Sequence, residues 1–248
     1  MNLAGALVLV TGGASGLGLA TAESLQQAEA IPIILDRDRE MLDAVTTRLG
    51  CPGFAVDLTD SVAVDAVVAA VCEKHGTPLG LVNNAGILRS APLLSLGNAE
   101  NPRHSLELWN EVLAANLTSV FLVTRAVADR MARRRVRGVI VSMSSVSAKG
   151  NAGQTAYSAA KAGVEAMTRV WAKELGPLGL RFVAVAPGYV DTPSTRAAVP
   201  EDILENLRRE TALRRLCKPE SIAATVIFAL QNDMITGTTL SVDGGLTM

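Results

Sequence analysis

The chain has 248 residues, with Lys+Arg 23 set against Asp+Glu 24 and a net charge of −1. That balance excludes the basic footprint of a nucleic-acid or anionic-membrane binder and points to a small-molecule partner. Two histidines (His75, His104) and three scattered cysteines (Cys51, Cys72, Cys217) leave little for a Ser-His-Asp hydrolase, a disulfide framework or a metal centre, so no metal is expected.

Leu3 to Val10 is apolar but lacks a basic leader and runs into a glycine-rich segment, so it reads as a first buried strand and not as a signal peptide. No stretch reaches the roughly 18 apolar residues that a transmembrane helix needs, and a soluble, cytoplasmic protein is expected. From there, short apolar runs alternate with helical patterns. Ala6–Thr11, Ile31–Leu35, Gly53–Val56, Leu79–Asn83, Gly138–Met143, Arg181–Ala186 and Thr239–Val242 read as seven strands, most of them continuously apolar, as when both sheet faces are covered. Helical patterns lie near 16–28, 38–49, 60–75, 106–134, 156–175 and 219–231. This alternation predicts an α/β fold, a doubly wound parallel sheet with helices on both faces. With no linker or repeat, residues 1–248 read as a single domain. Ser95–Ser105 is polar, and Pro187–Leu216 carries Pro193 and Pro200 where a compact connection would suffice. Substrate-site segments are therefore expected near 87–105, 145–156 and 187–216.

Thr11-Gly-Gly-Ala-Ser-Gly-Leu-Gly18 joins the first strand to the first helix, with glycines at 12, 16 and 18. Small residues there let backbone N–H groups approach a pyrophosphate at a helix N-terminus, where the dipole favours negative charge. Asp36 ends the second strand, placed to accept from ribose hydroxyls and to repel a 2′-phosphate, which favours NAD over NADP. Arg37 beside it is either a phosphate ligand or a solvated first-turn residue, and the second reading is preferred. Asp57 ends the third strand, and Asn83-Asn84-Ala85-Gly86 ends the fourth, where the cofactor should lie.

Tyr157 and Lys161 are four apart at the start of a predicted helix and share a face. A phenol with a reference pKa near 10 needs a nearby cation to exchange protons at neutral pH. Lys161 supplies it, so Tyr157 is the expected acid/base. Ser144 lies thirteen residues upstream and is assigned to hold the substrate oxygen. Ser142, Ser145 and Ser147 crowd the same strand end, with Ser145 the fallback. Asn116 is expected to hold a water that relays protons from Lys161.

These residues, with Pro187-Gly188, Thr192 and the closing Asp243-Gly244-Gly245, make the chain similar to the short-chain dehydrogenase/reductase family over essentially its whole length. The resemblance implies a Rossmann fold and a cofactor set of Gly12, Ser15, Gly16, Leu17, Gly18, Asp36, Asp57, Leu58, Asn84, Ala85, Gly86, Tyr157, Lys161, Pro187, Gly188, Val190 and Thr192. It implies that Thr192 and the backbone around Val190 hold the nicotinamide carboxamide. It also implies a homotetramer packed through the helices containing Asn116–Arg134 and Tyr157–Leu175. Gly150-Asn151-x-Gly153-Gln154 is similar to 3-oxoacyl-[acyl carrier protein] reductases, whereas Asp36 and the longer Ser95–Ser105 loop are closer to NAD-dependent 3-hydroxyacyl-CoA dehydrogenases. The leading expectation is a dehydrogenase of 3-hydroxyacyl thioesters; the alternatives are an enzyme of unconjugated secondary alcohols such as steroids, or a non-catalytic nucleotide sensor. Gln154 is a candidate substrate contact or, alternatively, a helix-terminal residue satisfying backbone groups. Arg89, Arg103, Arg196 and Lys149 are candidates for a basic cluster that would favour a CoA ester. Trp109 and Trp171 are expected in the core or a subunit interface.

Overall fold

The apolar runs form seven strands in one sheet, parallel throughout and ordered β3-β2-β1-β4-β5-β6-β7. They are β1 Leu7–Thr11, β2 Ile31–Asp36, β3 Gly53–Ala55, β4 Gly80–Asn83, β5 Val139–Met143, β6 Arg181–Pro187 and β7 Thr238–Val242. Among the described residues, the α-helices of eight or more residues are α1 Gly16–Gln27, α2 Arg39–Leu49, α3 Ser61–His75, α4 Leu106–Leu113, α5 Ser119–Arg133, α6 Thr155–Leu175, α7 Glu201–Glu210 and α8 Pro219–Gln231. This computed structural model describes residues 1–95, 97, 102–192, 195–196 and 199–246. The interior of the polar loop expected at Ser95–Ser105, and Pro193, lie outside the described residues.

The strand period of two sorts the core into two layers. Leu9, Leu81, Ile140 and Phe182 pack with Val68, Val127 and Met131 on the face covered by α3, α5 and α6. Val8, Val10, Val82, Val141, Val183 and Val185 pack with Leu25, Ile222 and Val226 on the face covered by α1 and α8. Both faces are therefore dry, which is why these strands read as unbroken apolar runs. The direction of strand order reverses between β1 and β4, and the carboxyl ends of those strands open a crevice between diverging loops.

One expectation changes along the segment Leu106–Arg133. Leu106–Arg133 forms a 28-residue helical stretch that is, by length and composition, apolar enough to cross a membrane, but 56% of its apolar window is buried inside the fold. It acts as a core helix, contributing Leu122, Val123 and Val127 to the first layer. It is also not uniform, because a π-turn at Ala114–Thr118 separates α4 from α5. Such widened turns occur often at functional sites.

Candidate active site

A cleft of about 880 Å³ runs along the carboxyl edge of the sheet. At one end, the first helix begins without the usual satisfaction of its N-terminus. Asp38, Asp60 and Ser105 accept hydrogen bonds from first-turn N–H groups of α2, α3 and α4, but Ser15 caps nothing on α1, and no acidic side chain occupies its first turn. Unpaired N–H groups at the positive end of a helix dipole suit a pyrophosphate. Gly16, with φ +53°, presents open space on its Cβ side, so the approach to that terminus is clear.

The glycines serve different ends. A Cβ on Gly12 would sit 2.9 Å from the Ala85 Cα, so the loop lies directly on the end of β4. A Cβ on Gly18 would clash with the Gly12 carbonyl and lie 2.6 Å from Asn84 Nδ2. Gly18 therefore permits packing and does not line the cleft, unlike Gly12, Ser15, Gly16 and Leu17. Asn84 donates from Nδ2 to the Thr11 and Gly12 carbonyls, both at 3.1 Å, and Thr11 Oγ1 accepts from the Asn84 and Ala85 N–H groups. This lacing welds β1 to β4 across the crevice while leaving Asn84, Ala85 and Gly86 on its wall.

Asp36 is held by its neighbours: Oδ2 accepts from the Ala14 N–H and Oδ1 from the Asp38 N–H, each at 3.1 Å. Asp57 Oδ1 accepts from the Thr59 N–H and hydroxyl, and these bonds hold its carboxyl below the usual carboxylate range. Both acids, with Arg37 and Leu58, line the same end of the cleft.

At the other end, burial raises the Tyr157 pKa, partly offset by a hydrogen bond from the Ser145 side chain. The Lys161 ammonium lies 5.6 Å from the Tyr157 ring centroid and donates to the Met143 carbonyl at 2.7 Å. Buried without a carboxylate partner, Lys161 is pushed down to about 8. The expectation that Lys161 lowers the phenol is thus not what the protein alone shows. Desolvation is the largest influence on both groups, because removing water penalises a phenolate and an ammonium alike.

The serine assignment also changes. Ser144 lies on the cleft wall, but its hydroxyl donates to Glu165 Oε1 on α6 at 2.8 Å, away from Tyr157. Ser145, with an extended backbone at φ −166°, carries the pleat one residue further and turns its side chain to the opposite side, onto Tyr157. Counting back from Tyr157 picked a residue on the wrong face, since a shift of one reverses direction in extended chain.

Asn116 is buried and held by its side chain. Its Nδ2 donates to the Ile87 and Val112 carbonyls at 2.9 and 3.0 Å, and Oδ1 accepts from the Ile87 N–H at 3.2 Å. With both donors used, the amide clamps the β4–α4 connection. It abuts Gly86, where a Cβ would overlap Oδ1 and come within 3.9 Å of Lys161 Nζ.

Pro187, Gly188, Val190 and Thr192 form the remaining wall. Gly188 lies close enough to the closing glycines that a Cβ would be 2.9 Å from the Asp243 Cα. Val190 bridges Cys217, and Thr192 Oγ1 accepts from the Thr195 N–H.

A family model described as enoyl-(acyl carrier protein) reductase matches residues 12–247. The chain is 40% identical, over the full length of both, to a 3-oxoacyl-[acyl-carrier-protein] reductase of Thermotoga maritima. It is 37% identical to a short-chain reductase protein of Streptomyces niveus, covering 96% of this chain and 93% of the relative. It is 34% identical to the human (3R)-3-hydroxyacyl-CoA dehydrogenase, covering 100% and 97%. The chain belongs to the short-chain dehydrogenase/reductase family. As a short-chain dehydrogenase/reductase it is a nicotinamide-dependent oxidoreductase acting between an alcohol and a ketone.

Two cleft features of this family member went unread in the sequence. Tyr189 places a second phenol in the cleft, and the chain across from it, near Gln154, is tied to it by Asn151. Gln154 lines the cleft at the start of α6, where its side chain makes no capping hydrogen bond. Of the four basic candidates Arg89 alone lines the cleft, while Arg196 is bound twice by Asp191, at 2.6 and 2.8 Å. Neither tryptophan lines it; Trp171 packs on Phe182 and Trp109 edge-on to His104.

Proposed function

We infer that this enzyme uses NAD(H) to interconvert a 3-hydroxyacyl thioester and its 3-oxo form. The observation that carries the hydride chemistry is the convergence of Tyr157, Ser145 and Lys161 at one end of a cleft whose other end is an uncapped helix N-terminus. The acyl substrate is supported by the activities for which the Thermotoga and human relatives are named. We read residues 1–248 as one domain, with its substrate segments near 87–105, 145–156 and 187–216.

In this reading, Ser145 replaces Ser144 as the hydroxyl that orients the reacting oxygen beside Tyr157. In reduction, the Tyr157 O–H gives its proton to the ketone oxygen; in oxidation, the phenolate takes the alcohol proton. Lys161, near 8, holds an exchangeable proton next to the phenol at neutral pH. Asn116 positions the Ile87 backbone and Gly86 against the cofactor wall. Gly12, Ser15, Gly16 and Leu17 hold the pyrophosphate, with Gly18 allowing the loop to close. Asp36 takes the adenosine ribose, Asp57 and Leu58 the adenine, and Asn84, Ala85, Gly86, Pro187, Gly188, Val190 and Thr192 the nicotinamide half. When bound, the dinucleotide supplies the hydride donor or acceptor and, when oxidised, a positive charge. NAD is favoured because the Asp36 carboxylate is pinned at the ribose end, where a 2′-phosphate would meet it.

We further place the enzyme in the cytoplasm, on its free, half-buried Cys51, Cys72 and Cys217. We read it as a homotetramer joined through α5 and α6, whose outer faces form a groove of about 330 Å³ lined by Phe121, Trp171 and Leu175. Following NADH with acetoacetyl-CoA, a steroid panel, simple ketones and crotonyl-CoA tests the substrate. Turnover of acetoacetyl-CoA is expected. Turnover of ketones or steroids alone would move the assignment to unconjugated alcohols, and turnover of crotonyl-CoA alone to C=C reduction.

A further inference from the structure

The acid/base end of the cleft contains polar groups that the hydride chemistry does not use. Tyr189 is fixed at both ends. Its carbonyl accepts from the Cys217 N–H at 2.9 Å, and the next residue, Val190, bridges Cys217. At its other end, the phenol oxygen accepts from Asn151 Nδ2 at 3.1 Å. Asn151 is itself held, its N–H donating to the Ser158 hydroxyl at 3.3 Å and its carbonyl accepting from the Gln154 N–H at 3.0 Å. Because Asn151 fills an acceptor site on the phenol, the Tyr189 O–H is left pointing elsewhere, as a donor on a rigid support. Gln154 lines the same space, 9% exposed, with a buried Oε1 that has no hydrogen-bond partner.

Tyr157 and Ser145 already account for the reacting oxygen. A second fixed donor in the same space therefore suits a second acceptor atom on the same substrate. Tyr189 also lies near enough to Tyr157 to act on its ionisation, which places the two phenols around one ligand.

We propose that Tyr189, oriented by Asn151 and flanked by Gln154, is the specificity-determining contact for a second substrate oxygen, the acyl carbonyl two carbons along from the reacting one. The inference deepens the acyl reading above and rests on it. Tyr189 touches the substrate; Asn151 is a positioning residue that acts through the Tyr189 phenol. A site built to hydrogen-bond a substrate group discriminates against an analogue lacking that group, because its own polar atoms are then left unpaired.

The test is a ratio of kcat/KM values, for ethyl acetoacetate over 2-pentanone, with acetoacetyl-CoA measured alongside. Wild type should prefer the dicarbonyl, and Tyr189→Phe should lower the ratio roughly tenfold, about the effect of one hydrogen bond. Using a ratio cancels any effect of Tyr189 on Tyr157 itself. Asn151→Asp is the sharper variant. Nearly isosteric, its carboxylate can only accept, so it draws the phenol proton away from the substrate and should lower the ratio as Tyr189→Phe does. An unchanged ratio in Tyr189→Phe, or a wild type with no preference for the dicarbonyl, overturns the inference. An intact ratio effect with no turnover of acetoacetyl-CoA would overturn the thioester reading while leaving the second-oxygen contact standing.

Discussion

Ser144 and Ser145 are adjacent and chemically identical, yet their side chains face opposite ways, so replacing each by alanine separates position from chemistry. Ser145→Ala removes the hydroxyl beside Tyr157 and, in the proposed mechanism, the donor that holds the reacting oxygen. Loss of one such preorganised donor costs about 2.7 kcal/mol or more, roughly 100-fold in kcat. Ser144→Ala removes instead a 2.8 Å hydrogen bond to Glu165, whose side chain is 22% exposed and has Arg169 at 3.8 Å. Water and the arginine compensate in part, so the cost is about 1 kcal/mol of stability, or roughly 2–4 °C in Tm for a chain of this size. Its kcat should stay within about threefold of wild type, a bound set by the absence of any transition-state contact. Initial rates with NADH and acetoacetyl-CoA, beside thermal melts, read both effects. If Ser144→Ala lost the activity and Ser145→Ala kept it, the geometric argument would be refuted.

Other consequences follow from the same geometry. Lys161 titrates near 8 in the fold against 10.5 unfolded. The unfolded chain therefore binds more protons between those values, and this group's destabilisation, present in full below about pH 8, is relieved as pH rises toward 10.5. Lys161→Met should abolish activity yet raise the pH 7 Tm by several degrees, from up to about 3 kcal/mol of relieved burial cost; a lower Tm would contradict the cause assigned to the shift. Gly18→Ala forces a methyl onto the Gly12 carbonyl and Asn84, and should cost about 1–3 kcal/mol while weakening NADH binding measured by fluorescence. Asp36→Ala should shift the kcat/KM ratio toward NADPH by roughly tenfold or more, as removal of one repelled charge near a phosphate implies; no shift would remove Asp36 from cofactor choice.

The fold and the cofactor end were legible in the sequence for local reasons. Unbroken apolar runs mark strands covered on both faces, and the Gly12–Gly18 loop falls between β1 and α1, so strand order alone carries Asp36 and Asn84 to the same crevice. What escaped depends on single-residue direction or on contacts distant in sequence. Ser144 and Ser145 differ only in the side of the pleat they take, which a count back from Tyr157 across the intervening loop does not determine. The Asn151–Tyr189 bond spans 38 residues, and nothing local to either residue predicts the pairing. The π-turn that brings Asn116 onto Ile87 interrupts a helix whose apolar pattern reads as continuous.

The central claim is that Tyr157 carries the proton in hydride transfer. The most direct measurement is Tyr157→Phe, assayed for turnover of the wild-type substrate and for NADH affinity on the same sample. The account predicts a loss of roughly 100-fold to 10,000-fold in kcat, with NADH affinity within about threefold of wild type because the rest of the cofactor wall is unchanged. A variant that binds NADH normally and turns over at the wild-type rate would contradict it.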